Sequence, residues 1–160
     1  MTLEEAVYAR HSVRSYTGEA LAKEAAFALE EEIGKCNKEG GLSIRLVQNE
    51  PKAFKSFLAK YGKFSGVTSY IVLAGERADD LRERAGYYGE RLVLSAQTLG
   101  LNTCWAALSF GKGAAKKSAG LKKGEKLVCV IAVGYGKTQG IPHKSKTFDD
   151  VAVAKDAPEW

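Results

Sequence analysis

Three side chains near the start of the chain, Arg10, Ser12 and Arg14, stand at alternate positions in the run Tyr8-Ala9-Arg10-His11-Ser12-Val13-Arg14-Ser15-Tyr16. In an extended segment alternate side chains point to the same side, so two guanidiniums and a hydroxyl could converge on one anion. A guanidinium offers paired donors that match a phosphate or an electron-rich carbonyl edge. The competing reading of the same residues is a solvated helix end with capping arginines. A second cluster, His143-Lys144-Ser145-Lys146, again sets two cations two apart in a stretch expected to be extended. Lysines act as point charges on a phosphate, which carries about −1.5 to −2 at neutral pH. Taken alone, Lys-x-Lys is common on ordinary surfaces.

A third stretch, Leu99-Gly100-Leu101-Asn102-Thr103-Cys104-Trp105-Ala106-Ala107-Leu108, follows a long helical pattern. Small residues there let backbone amides approach a planar ligand. Cys104 has no activating base nearby in sequence, since the two histidines are His11 and His143, and a nucleophilic thiol needs one. Cys104 therefore reads as a packed thiol beside a buried Trp105, and Cys36 and Cys129 as packing residues too. Other patterns fail on spacing. Gly134-Tyr135-Gly136 is not followed by a helix with a third glycine, and Gly111-Lys112-Gly113 lacks the spacing of a phosphate-binding loop. Two histidines and scattered cysteines make no metal set, and no Ser/His/Asp order stands out.

The elements that must position these residues follow from capping and periodicity. Thr2 and Glu5 form a capping box, so a first helix is expected over 3–10. Residues 21–36 are rich in Ala, Leu, Glu and Lys and predict a second. Leu42, Ile44 and Leu46 alternate with polar neighbours, predicting a half-buried strand over 42–48. Pro51 suits a helix first turn, and Phe54, Phe57, Leu58 and Tyr61 recur at helical spacing before Gly62. A strand is expected over 67–74 and the longest helix over 79–99, closed by Gly100. Residues 101–110 read as a loop and 114–119 as a short Lys-rich helix. Residues 127–134 form the clearest strand, buried on both faces. Residues 150–153 suggest a last weak strand. Helices and strands mix without strict alternation, so the fold class is α+β.

The chain has 160 residues, 45% hydrophobic and 27% charged, within the ordinary globular range, so one domain with its own core is expected. No apolar run approaches the ~20 residues of a membrane helix, and the first residues lack the basic-then-apolar order of a signal peptide. An odd count of three cysteines without a CxxC pair argues against a disulfide framework and for a reducing cytoplasm. The net charge of +5 is spread among acidic residues. The densest patch, Lys112, Lys116, Lys117, Lys122, Lys123 and Lys126, has no interleaved aromatics for stacking on bases. It reads as solvated surface, and neither nucleic acid nor membrane is an expected partner. A small phosphorylated ligand would also use a basic pocket.

Taken together, the motifs resemble a known family. Arg10-His11-Ser12-Val13-Arg14-Ser15-Tyr16 resembles the opening signature of the nitroreductases, basic-basic-Ser-x-basic-x-aromatic. Leu94-Ser95-Ala96-Gln97-Thr98-Leu99-Gly100-Leu101-Asn102-Thr103-Cys104-Trp105 is similar to that family's central helix and the turn after it. Val130-Ile131-Ala132-Val133-Gly134-Tyr135 resembles its last core strand, and Lys144-Ser145-Lys146 its closing phosphate-binding pair. Four motifs in order, over most of the chain, are more specific than any one alone. The short, divergent nitroreductases with a Pro-His-Lys-Ser-Lys stretch, here Pro142-His143-Lys144-Ser145-Lys146, are the most similar members.

The resemblance implies a central, mostly antiparallel sheet flanked by helices, FMN bound at a homodimer interface, and NADH or NADPH as electron donor. The implied activity is a ping-pong hydride transfer through FMN to nitroaromatic, quinone or similar small-molecule acceptors. By position, Arg10 and Ser12, in a run that includes His11, would hold the ribityl phosphate together with Lys144 and Lys146. Arg14 would reach the pyrimidine edge, and the backbone of Ala106, Ala107 and Leu108 would face the isoalloxazine ring. A fixed cation at the pyrimidine edge favours the reduced, more negative flavin, so no protein acid or nucleophile is required. One departure stands out. The family's Pro-Ser-x-x-Asn-x-Gln segment after the second helix has no counterpart in 34–46. In divergent members a Pro-Thr-Ala-x-Asn-Gln piece follows the C-terminal strand instead. Residues 1–160 are thus expected to form a single nitroreductase-like domain, with a missing C-terminal segment left open. Two other readings stay open as well: a flavin-binding module without turnover, and a nucleic-acid-binding domain using the lysine patch.

Overall fold

The computed structural model describes residues 1–142 and 145–153. The expected capping box forms. The Thr2 hydroxyl accepts from the Glu5 N–H at 3.1 Å, and Glu5 accepts the Thr2 N–H at 2.8 Å, which starts α1 (Leu3–Ala9). Arg10 leaves the helix with extended backbone. The second helix, α2 (Lys23–Gly40), outruns its expected end at residue 36. Asn37, Lys38 and Glu39 tolerate helix, and the left-handed conformation that stops it arrives only at Gly41, with φ 57°, where the lack of Cβ removes the penalty. Asn37 then grips Ile44, accepting its N–H at 2.7 Å and donating to its carbonyl at 3.0 Å. That clamp delivers β1 (Arg45–Val47), shorter than the expected 42–48.

The single helix expected from Pro51 to Gly62 is two pieces, a 3₁₀ turn (Pro51–Phe54) and α3 (Phe57–Tyr61). Ser56 breaks it: its backbone is extended, and its hydroxyl accepts the Ala59 N–H at 3.3 Å. A serine competes with the helix for such donors. The chain then forms β2 (Ser69–Glu76), α4 (Leu81–Thr98), β3 (Asn102–Ala106), α5 (Lys112–Ser118), β4 (Glu125–Gly134) and α6 (Phe148–Val151). Two expectations are corrected here. The loop over 101–110 contains β3, because Thr103, Cys104 and Trp105 find partners in Val133, Ala132 and Ile131 of β4. The weak strand over 150–153 is replaced by α6, because Asp150 accepts both the N–H and the hydroxyl of Thr147, at 3.1 and 2.9 Å, closing a helical turn.

The four strands make one antiparallel sheet in the order β1-β2-β4-β3. Its centre is buried on both faces, as expected for 127–134. Ile71, Leu73, Ile131 and Val133 face α2 and α4, packing with Leu29, Ile33, Leu92 and Val93. Tyr70, Val72, Val130 and Ala132 face the other way, against Phe54, Phe64, Phe110 and Tyr16. The α+β architecture, an antiparallel sheet flanked by helices, is therefore what the structure shows. Among the described residues no helix is long and apolar enough to cross a membrane.

Candidate functional site

Residues 12–17 cross the molecule as an extended strap pinned on both sides. The Val13 N–H donates to the Thr103 carbonyl at 3.0 Å, tying the strap to β3. On the opposite side, Ser65 N–H donates to Arg14 O and Tyr16 N–H to Ser65 O, both at 2.9 Å. Further on, Thr17 N–H donates to Tyr135 O and Lys137 N–H to Ser15 O, again at 2.9 Å. Two side chains anchor the strap in the core. Val13 and Tyr16 are each 2% exposed, and the Tyr16 hydroxyl donates to the Ala132 carbonyl at 3.3 Å. Burial pushes the Tyr16 phenol far above its ordinary range, so it stays a neutral donor. With Val13 turned inward, Ser12 and Arg14 are left exposed on the other side. The alternation read from the sequence is realised.

Arg10, His11, Ser12 and Arg14 line one cleft of about 580 Å³, together with Val13, Ser15, Lys63, Thr138, Gly140 and Ile141. That volume lies within the ~300–1,000 Å³ of small-molecule sites. Among the described residues its lining carries guanidiniums, an ammonium and hydroxyls and no carboxylate, a donor set suited to phosphate. Asn102, 3% exposed, anchors the turn that closes the cleft. It accepts the Gly136 N–H at 3.0 Å and donates to Gln139 at 2.9 Å, which brings the 136–140 turn back over Ser12. Gly140 completes the wall with φ 85°, and a Cβ there would stand 2.6 Å from His11 Cβ. A side chain at 140 would therefore collide with the strap at His11 and Ser12.

Sequence reasoning missed Lys63, Thr138, Gly140 and Ile141. Lys63 sits at the end of α3 with left-handed backbone, φ 58°, uncommon outside glycine and worth a functional question. The only signal in the sequence was the Gly62 stop beside it. Other expected site residues lie apart from the cleft lining. Ala106 is buried at the end of β3, and Ala107 and Leu108 are exposed on the bend that follows. That bend adjoins α3, since a Cβ on Gly62 would meet Ser109 Cβ at 2.4 Å. Lys146 is exposed and outside the lining. Lys144 and His143 fall outside the described residues.

The cysteines carry no disulfide among the described residues. Burial pushes the Cys104 thiol up, against opposing pulls from Arg14, Ser12 and Arg10, so it remains a thiol beneath the strap. Burial alone lifts Cys129 to about 11. Trp105, expected to be buried, is half-buried, with its indole N–H donated to Glu90 at 3.1 Å.

The fold and the cleft define an α+β protein with a donor-lined cleft beside an extended arginine strap. The family model described as "Putative TM nitroreductase" matches residues 2–160, and the chain belongs to that nitroreductase family. No curated protein sequence matches the chain. Solved structures share its fold at low identity. A Desulfovibrio desulfuricans protein described as a "putative nitroreductase in complex with fmn" superposes with TM-score 0.74 at 16% identity, over 99% of each chain. A nitroreductase family protein from Streptococcus pneumoniae gives 0.73 at 13% identity, over 96% of this chain and 100% of its own. An FMN-dependent nitroreductase from Mycobacterium smegmatis, in complex with NADPH, gives 0.70 at 15% identity, over 95% and 97%.

Proposed function

We propose that this chain is an FMN-dependent oxidoreductase that draws electrons from NADH or NADPH and delivers them to nitroaromatic, quinone or similar small acceptors. Family membership supports the oxidoreductase class, and the solved relatives with FMN and with NADPH support the cofactor and the donor. The observation that carries the reading is the strap. It brings Ser12 and Arg14, with Arg10 beside them, to a cleft whose lining, among the described residues, has donors and no carboxylate. FMN, when bound, supplies the site at which hydride is accepted and given up.

The chain's own residues do the rest. Arg10 and Ser12, with His11 beside them, hold the phosphate, and Lys144 and Lys146 add charge to it from the other end of the chain. Arg14 sets a fixed positive charge at the pyrimidine edge and so favours the reduced cofactor. The backbone of Ala106, Ala107 and Leu108 supports the ring. We place residues 1–160 in one working domain and the protein in a reducing cytoplasm, where three unpaired thiols are stable, and we assign it a homodimer.

The test is a titration of purified protein with FMN and with riboflavin, which lacks the phosphate. Arg10→Ala is expected to weaken FMN by about tenfold or more, as loss of a charge-assisted contact does, and to leave riboflavin nearly unchanged. FMN affinity unchanged in both Arg10→Ala and Lys146→Ala overturns the site. Flavin that binds tightly but is reduced by neither nicotinamide makes the protein a flavin-binding module instead.

A further inference from the structure

Arg10 does not stand free at the cleft. Its Nε lies 3.6 Å from Glu90 Oε1, while Glu90 Oε2 accepts the Trp105 indole N–H at 3.1 Å. The three residues come from three elements: the end of α1, the middle of α4 and β3. Arg10 lines the cleft and Glu90 does not. The ion pair runs through Nε, the inner nitrogen. The terminal amino groups, the pair that matches phosphate oxygens, make no hydrogen bond to Glu90 among the described residues. The Arg10 side chain is 22% exposed and that of Glu90 47%. A pair this open adds little to stability, so its orientation is the more telling feature.

We propose that Glu90 is a positioning residue: held by Trp105, it fixes the Arg10 guanidinium so that its outer edge faces the phosphate. This rests on the flavin reading of the cleft and extends it to two residues outside the lining. The opposite effect is also physical, because a carboxylate near a phosphate repels it. The two effects have opposite signs in Glu90→Gln. An amide keeps an acceptor for the indole and loses the charge that holds Arg10.

The full-length protein is tested in two ways. Without flavin, the Arg10 Nε–H resonance, assigned by its loss in Arg10→Ala, is expected to be sharp at neutral pH and broadened by exchange in Glu90→Gln. With flavin, Glu90→Gln is expected to weaken FMN about three- to fivefold and to leave riboflavin unchanged. In an Arg10→Ala background the same substitution should change nothing further. Trp105→Phe, which keeps the carboxylate and removes its anchor, is expected to weaken FMN in the same direction. Tighter or unchanged FMN binding in Glu90→Gln overturns the proposal, as does equal weakening with and without Arg10. A wild-type protein that binds no FMN sinks the functional reading instead, and the resonance still decides the positioning.

Discussion

Gly140 and Gly120 both hold left-handed backbone, with φ 85° and 61°, but only Gly140 is crowded. A Cβ at 140 would meet His11 Cβ at 2.6 Å and the Ser12 carbonyl at 3.3 Å, whereas nothing lies within 4 Å at 120. Alanine at either position pays the left-handed penalty of about 1–2 kcal/mol. At 140 it must also push His11 and the strap, so Gly140→Ala is expected to lower FMN affinity as well as the urea midpoint. Gly120→Ala should lower the midpoint alone. Equal effects of the two on flavin binding would show that the 140 turn does not shape the cleft. The same residues mark the reach of sequence reading. Arg10, Ser12 and Arg14 were legible because their convergence needs only local extended backbone. Lys63 and Thr138 were not, because Ser65 and Lys137 bring them in by pairing with Arg14, Tyr16 and Ser15, contacts that no local pattern encodes.

The helices on one face of the sheet are joined by charge as well as by apolar packing. Arg91 on α4 bridges Glu32 and Glu39 on α2. Burial pushes the Glu32 carboxyl up, but hydrogen bonds from Lys35 and Arg91 and their charges outweigh it, so its folded value lies below the ordinary one. A depressed carboxyl stabilises the fold above its unfolded pKa of about 4.3. That contribution is lost as pH falls through the folded value. Arg91→Met is therefore expected to cost up to about 1 kcal/mol at pH 7 and progressively less toward pH 3. Urea midpoints of both proteins at the two pH values measure it, and a gap that stays constant with pH would assign the loss to the arginine stem's packing. At this scale the long elements were legible because their apolar periods are strong, as in α4 and β4. The failures were short. β3 hides behind small residues and is made a strand by β4. α6 is one turn whose Thr147–Asp150 capping outweighs the alternation of Val151 and Val153.

Leu3, Val7 and Tyr8 on α1 and Tyr87 on α4 are 58%, 56%, 79% and 71% exposed. Leu3 and Tyr87 share a shallow apolar hollow with Leu94. Single exposed apolar residues are ordinary, but a contiguous group rimmed by polar residues marks an interface. A second group, Phe57, Leu58 and Tyr61 on α3, is as exposed, at 81%, 52% and 84%. The α1–α4 face is the better seat for a second copy of the chain. It adjoins Arg10 and Glu90, and the hollow sets Leu3, Tyr87 and Leu94 beside Glu90 and Arg91, an apolar centre with a polar rim that suits the self-complementary contact of a two-fold dimer. The wild-type protein, 17.3 kDa per chain, is accordingly expected to sediment as a dimer at micromolar concentration. Tyr87→Glu should bury a charge in that contact and raise the dimer dissociation constant by about tenfold or more. If the flavin lies at the interface, FMN affinity should fall with it, and raising protein concentration should restore both. Dissociation by Phe57→Ser instead of Tyr87→Glu would move the interface to α3, and a wild-type monomer at tens of micromolar would remove the dimer altogether.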